Sequence, residues 1–252
     1  SSRRSAFLNQ KRLGGVDCTL PCNVVSNNIG GNLDSVKIID PSTGQSILVS
    51  HPEIYDMQNG EVAKFGNKFW MKNTIPAGGG AWIKEFEIDN SCNVTYIRQI
   101  EIPGDDLPNP GMGNGMAAID DNTLLIGSVN FGISNPGFHN SVVSANISGS
   151  TAVYTPLFNI AVPSTASGWT ISGDIVYIPS SNTIVTSEAG GGTPSRGVHY
   201  DMSGNVLGFA NIGASVPYSM FCYNGEVYIG VNSSPGNVKR FDLSTYTISY
   251  DP

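Results

Sequence analysis

The 252-residue chain reads as an all-β fold assembled from repeated hairpins. Two patterns and one compositional bias carry that reading. In the first pattern an apolar run meets an Asn- or Gly-bearing turn and then a second apolar run, at Glu61–Met71, Met116–Ile126, Asp174–Val185 and Met220–Ile229. In the second an apolar run ends at an aspartate: Asp40 after Val36, Asp89 after Trp82, Asp201 after Gly197 and Asp242 after Val238. Hairpin units that recur every 40 to 60 residues or so cannot bury their faces alone, and stack on their neighbours. Charged residues make up only 13% of the chain, alongside 30 glycines. A typical globular domain carries about 25%, so turns and neutral polar groups replace charged helix faces here.

Taken in chain order, residues 1–16 form a basic arm. Arg3, Arg4, Lys11 and Arg12 are its charges, with no acid among them, and Phe7, Leu8 and Leu13 give it apolar character. One short amphipathic turn is marginal in isolation, so the arm is expected to order only against a partner. Gly14-Gly15 reads as its hinge. Cys18 and Cys22, in Cys-Thr-Leu-Pro-Cys, are spaced for a local disulfide, with two reduced thiols as the other reading. From about residue 23 the chain is strands and turns. Lys84 to Ile88 and Glu226 to Val231 alternate with the two-residue period of half-buried strands. Leu124–Ile126 and Ile175–Ile178 are continuous apolar runs, as in inner strands covered on both faces. Asn67, Asp120-Asp-Asn122, Asn182, Asn224-Gly225, Pro41–Gly44 and Met202–Gly204 supply the turns.

Aligning Asn67, Asn122, Asn182 and Gly225 gives spacings of 55, 60 and 43 residues, room for two hairpins and four strands per repeat. The stretch Val36-Lys-Ile-Ile-Asp-Pro-Ser-Thr-Gly-Gln45 resembles the outer hairpin of quinoprotein-like and YVTN-type β-propeller blades. The resemblance covers roughly residues 30–252 and implies four-stranded blades standing around a central channel. Outer hairpins near 36–50, 82–103, 141–161, 197–212 and 238–250 set an expectation of five blades, the first completed partly by residues 17–34. The third hairpin has Asn146 in place of Asp. Six blades with one shortened, and a flat β-sandwich, are the alternatives.

The net charge of −7 conceals an asymmetry. Four of the 13 basic side chains sit in the arm, leaving nine against all 20 acidic ones in the body. An acidic body repels nucleic acid and anionic membranes. No apolar run approaches the ~18–20 residues of a membrane-spanning helix, and no signal-type apolar core follows Arg3-Arg4.

Long Gly/Pro/Asn-rich loops make a display face, and Tyr55, Phe131, Phe138, Trp169 and Tyr218 are its candidate aromatic contacts for a partner protein or a sugar ring. Packing under their own loops is the competing role. Counting eight residues back from each aligned turn reaches Asn59, Asn114, Asp174 and Pro217. Asn59, Asn114 and Asp174 are thereby candidate oxygen ligands at a channel mouth, with structural polar lining as the favoured reading. Asp105-Asp106 and Asp120-Asp121 sit beside turns. His51, His139 and His199 lie in different repeats. Asn93, Asn146 and Asn232 begin glycosylation sequons. There is no Gly-x-Ser-x-Gly elbow, P-loop or His-Glu-x-x-His, and Gly111–Gly115 precedes a strand rather than a helix. No catalytic residue, metal or cofactor is expected. These features suit a non-enzymatic structural or adhesive module, extracellular or on a virion surface such as a phage capsid or tail, held in a larger assembly by its arm. A carbohydrate-binding propeller, or a calcium-dependent hydrolase or lyase, are the alternatives.

Overall fold

In the computed structural model the described residues are 24–27, 35–40, 43–57, 61–72, 81–102, 115–127, 141–164, 167–191, 193–213, 217–223, 226–231 and 237–250. They form five antiparallel sheets. The first holds β1 (Val24–Asn27), β2 (Ser35–Ile39) and β3 (Ser46–Ser50). The second holds β4 (Glu61–Phe65), β5 (Lys68–Lys72), β6 (Ala81–Ile88) and β7 (Val94–Ile102). The third holds β8 (Met116–Asp120), β9 (Thr123–Gly127), β10 (Ser141–Asn146) and β11 (Val153–Asn159). The fourth comprises β12 (Ser167–Ile178), β13 (Thr183–Gly191), β14 (Thr193–Asp201) and β15 (Val206–Gly213). The fifth comprises β16 (Pro217–Tyr223), β17 (Glu226–Val231), β18 (Asn237–Asp242) and β19 (Thr247–Tyr250). Strand order within each sheet follows the chain, so every connection inside a sheet is a hairpin. A short 3₁₀ helix, Pro52–Met57, joins the first sheet to the second.

This is a β-propeller with four-stranded blades, and it corrects the blade count. Four sheets have four strands, not the expected five or six. The reason lies in the first sheet. Asp40 closes its β2–β3 hairpin, as Asp89, Asp201 and Asp242 close the β6–β7, β14–β15 and β18–β19 hairpins. By that register β1, β2 and β3 occupy the second, third and fourth strand positions, so no innermost strand stands beside β1 among the described residues.

Four apolar cores lie between successive sheets. Phe69, Met71 and Phe86 meet Val36, Ile38 and Val49 between the first and second sheets. Trp70 and Ile83 meet Leu124 and Ile126 between the second and third. Leu125 and Val142 meet Ile171 and Ile184 between the third and fourth, and Val185 and Ile212 meet Ile229 and Phe241 between the fourth and fifth. Alternating strand faces explain the arrangement. Adjacent residues such as Leu124 and Leu125 enter different cores, which is why inner strands read as unbroken apolar runs.

The cores are supplemented at the rim. The Arg98 guanidinium donates to the carbonyls of Ile147, Ser148 and Gly149 in the next sheet's hairpin turn, at 2.7 to 3.2 Å. Phe158 of β11 packs on Tyr200 of β14 with ring centroids 5.1 Å apart. Tyr246, in the β18–β19 turn, lies on Gly208 of β15 so closely that a Cβ there would collide with its ring.

Candidate functional site

The first strands of four sheets surround an axial cavity of about 520 Å³. Its wall combines Val62–Gly66 of β4 and the turn after it, Met116–Ala118 of β8, Asp174–Tyr177 of β12 with Pro179, and Met220–Cys222 of β16. Most of this surface is aliphatic or aromatic. Asp174 supplies the carboxylate. The backbone N–H of Met116 donates to Asp174 Oδ1 at 3.3 Å and that of Met220 to Oδ2 at 3.1 Å. The N–H of Ile175 also donates to Oδ1, at 2.8 Å. One side chain therefore ties three inner strands from three sheets. Gly115 allows the approach: its φ is +94°, and a Cβ there would stand 2.6 Å from the nitrogen of Ile175. Asp174, a candidate oxygen ligand by sequence, lines this cavity with its carboxylate accepting from backbone amides.

Trp169 is only 1% exposed. Its indole N–H donates to Glu188 Oε2 at 2.8 Å. Glu188, itself wholly buried, also accepts from Thr186 Oγ1 and Tyr200 Oη at 2.7 Å each and pairs with Arg196 at 3.1 Å. The Arg196 guanidinium lies over the Trp169 ring at 4.9 Å and over Phe209 at 5.3 Å, and it also donates to the carbonyl of Ala161. Burial, with the Glu188 carboxyl beside it, pushes the Tyr200 phenol far above its ordinary range. Sequence reasoning missed this cluster because Thr186 and Glu188 share a face at i, i+2 of β13, while Trp169, Arg196 and Tyr200 come from neighbouring strands. The β13–β14 register, which sets Glu188 opposite Arg196, brings the ion pair together.

A second buried carboxylate, Glu85, is held by Lys68 at 2.9 Å and Arg98 at 2.6 Å. Burial pushes its carboxyl up, but the two cationic hydrogen bonds and their charges outweigh that and hold it below the usual range. Lys84 pairs with Glu53 at 2.7 Å. His199 is packed beside Tyr246, its Nδ1 3.4 Å from the Tyr246 hydroxyl, and burial lowers its pKa, favouring the neutral ring. His51 Nδ1 accepts from the Glu53 N–H at 3.2 Å. Asp120 accepts from the N–H of Asn122 at 2.8 Å, closing the turn it was read beside. The amide of Asn93 donates to Asp89, and that of Asn146 accepts from the N–H and hydroxyl of Ser148.

Trp169, read from sequence as a contact of the loop face, lies in a strand, because β12, β13 and β14 run long. Tyr55 falls in the 3₁₀ helix and Tyr218 in β16. Asn59, Asn114, Phe131, Phe138, the arm residues Arg3, Arg4, Phe7, Leu8, Lys11 and Arg12, and Cys18 and Cys22 lie outside the described residues. Cys92, at φ +65° in the β6–β7 turn, is disulfide-bonded, and Cys222 lies on β16. Among the described residues no three His, Cys, Asp or Glu side chains cluster as metal ligands.

No protein-family model matches the chain, and no curated protein matches it. Solved structures do. A putative 6-phosphogluconolactonase from Bacteroides uniformis is 8% identical, with 90% of this chain and 80% of that one covered and a TM-score of 0.51. The Bacteroides ovatus xyloglucan-locus protein GH43B is 11% identical over 77% of this chain and 40% of its own, with a TM-score of 0.50. The β-propeller domain of Cps50 (Swd1) from Myceliophteria thermophila is 12% identical over 92% of this chain and 68% of its own, with a TM-score of 0.47. At such identities the likeness is one of fold.

Proposed function

We propose that this chain is a non-enzymatic structural and adhesive propeller, displayed on the exterior of a larger assembly such as a virion or a cell surface and anchored there by residues 1–16. The observation that carries the reading is where the buried chemistry goes. Asp174, Glu85, Glu188 and their cationic or aromatic partners all bridge strands or neighbouring sheets. Groups so engaged stiffen a scaffold and leave recognition to its surface. The disulfide at Cys92 suits an oxidising exterior, as does a surface whose solubility rests on few charges. The arm's four cations oppose the acidity of the body, so an acidic groove on the assembly is the chemistry they fit.

The test keeps the whole chain and reverses the arm's charge. Arg3→Glu, Arg4→Glu, Lys11→Glu and Arg12→Glu, made together, are expected to abolish co-sedimentation with the purified particle or envelope at low salt. Unchanged co-sedimentation would end the anchoring reading.

A further inference from the structure

We infer that His199 and Tyr246 form an acid-released latch that holds the outer hairpin of the fifth sheet on the fourth. Tyr246 is the bolt. It sits in the β18–β19 turn at φ +53°, a left-handed setting that bulky side chains adopt only where their surroundings hold them in it. What holds it is β15. The Tyr246 ring lies on Gly208, where even a methyl group would collide with it. Gly208 stands opposite His199 in the β14–β15 register. The ring therefore also covers the imidazole, with centroids 6.1 Å apart and the hydroxyl 3.4 Å from Nδ1.

His199 is the sensor. It is 8% exposed, and its Nε2 is buried with no hydrogen-bond partner. A neutral ring tolerates this whichever nitrogen carries the proton. A second proton makes both nitrogens donors, and the Nε2–H then carries charge with nothing to accept it. The groups that face the ring do not offset that charge. β18 brings Lys239, a second cation, 5% exposed and donating to the carbonyl of Ile212. β16 brings Cys222 to the same core, and the turn brings Tyr246. The register partners of His199, Val185 on β13 and Gly208 on β15, are apolar. Asp201 and Asp242 stand at the adjoining turns with their oxygens engaged by Ser203, Asn205, Ser244 and Thr245. Glu188 of β13 lies on the opposite face, with Trp169 and Tyr200. Burial accordingly lowers the His199 pKa. With the folded value below the unfolded one of about 6.5, the stabilisation is full above that pH and is lost as pH falls through the folded value. Protonation drives the ring toward water, and Tyr246 must leave Gly208 to let it out. The inner strands stay, because Val227 and Ile229 remain in the core between the two sheets. Acid thus frees one hairpin rather than unfolding the molecule.

Hydrogen exchange of the full chain, followed from about pH 7.5 to about pH 5 and corrected for the intrinsic pH dependence of amides, tests this without any arm partner. Exchange over β15 and residues 242–248 is expected to rise as pH falls below about 6.5, by up to about tenfold per pH unit, while the second sheet stays protected. His199→Phe should remove that rise. Gly208→Ala, whose methyl group displaces Tyr246, should exchange at neutral pH as fast as the wild type does in acid. If His199→Phe fails to fold, the wild type and Gly208→Ala still decide. Exchange independent of pH in the wild type would overturn the inference, as would an equal rise in His199→Phe. Wild-type protection of Gly208→Ala at neutral pH would also overturn it. A rise spread over every sheet would mean global acid unfolding and would overturn it too.

Discussion

Glu188 is the residue on which most depends at its own scale. A wholly buried carboxyl with four partners is stabilising only while all of them stay in place. Glu188→Ala would strand the Arg196 guanidinium and leave the hydroxyl of Tyr200 and the indole of Trp169 short of an acceptor. The expected loss is about 3–5 kcal/mol, read from the midpoint of denaturant unfolding. Replacing Glu188 and Arg196 together by Met should restore a large part of it, because no buried charge then lacks its partner. Trp169 itself belongs to this network, so truncating it would disturb the fold and could not serve as a clean probe of sugar binding.

At the scale of the element, the recurring unit is the outer hairpin with its aspartate. Asp89 Oδ1 accepts from the N–H groups of Ser91 and Asn93, and Asp201 Oδ1 from those of Ser203 and Asn205. Asp242 Oδ1 accepts from the hydroxyl and N–H of Ser244 and the N–H of Thr245. Hydrogen bonds from Asn93, from Asn205 and from Ser244 hold the three carboxyls below their ordinary range. With the folded pKa depressed, the unfolded chain binds more protons, so the stabilisation is fully present above the unfolded value of about 3.9 and is lost as pH falls through the lower folded values. The melting temperature is expected to drop as pH is lowered from about 5 to 3. Triple replacement by Ala should flatten that dependence; an unchanged profile would show that these turns do not titrate with folding. The motif was legible because a turn is local: Asp, then Ser or Asn, then a residue at positive φ such as Gly204 is chemistry contained in five residues.

Over the whole molecule, Asp174 plays the part that the cores play between pairs of sheets, but across three sheets at once. Asp174→Ala is expected to cost at least about 2 kcal/mol, since two inter-strand N–H groups lose a charged acceptor. It should also raise hydrogen exchange at the amides of Met116 and Met220, which lie 58 and 46 residues from it in the chain. Exchange left unchanged at both would show that the inner strands are held by their flanking cores alone. The same scale explains the blade count. Hairpins can be counted from their turns, and the five outer ones are where the sequence put them, including the Asn146 variant in β10–β11. Whether an outer hairpin is completed by an inner one is a matter of which strand stands beside which.

By itself the sequence determined the strands, the turns and their recurrence, because two-residue alternation and turn stereochemistry act over a few neighbouring residues. Tertiary structure alone decided that Trp169 faces a buried carboxyl rather than solvent, and that Asp174 is spent on amides 46 and 58 residues away. Those outcomes depend on which surfaces pack together, and packing joins residues that no local pattern relates.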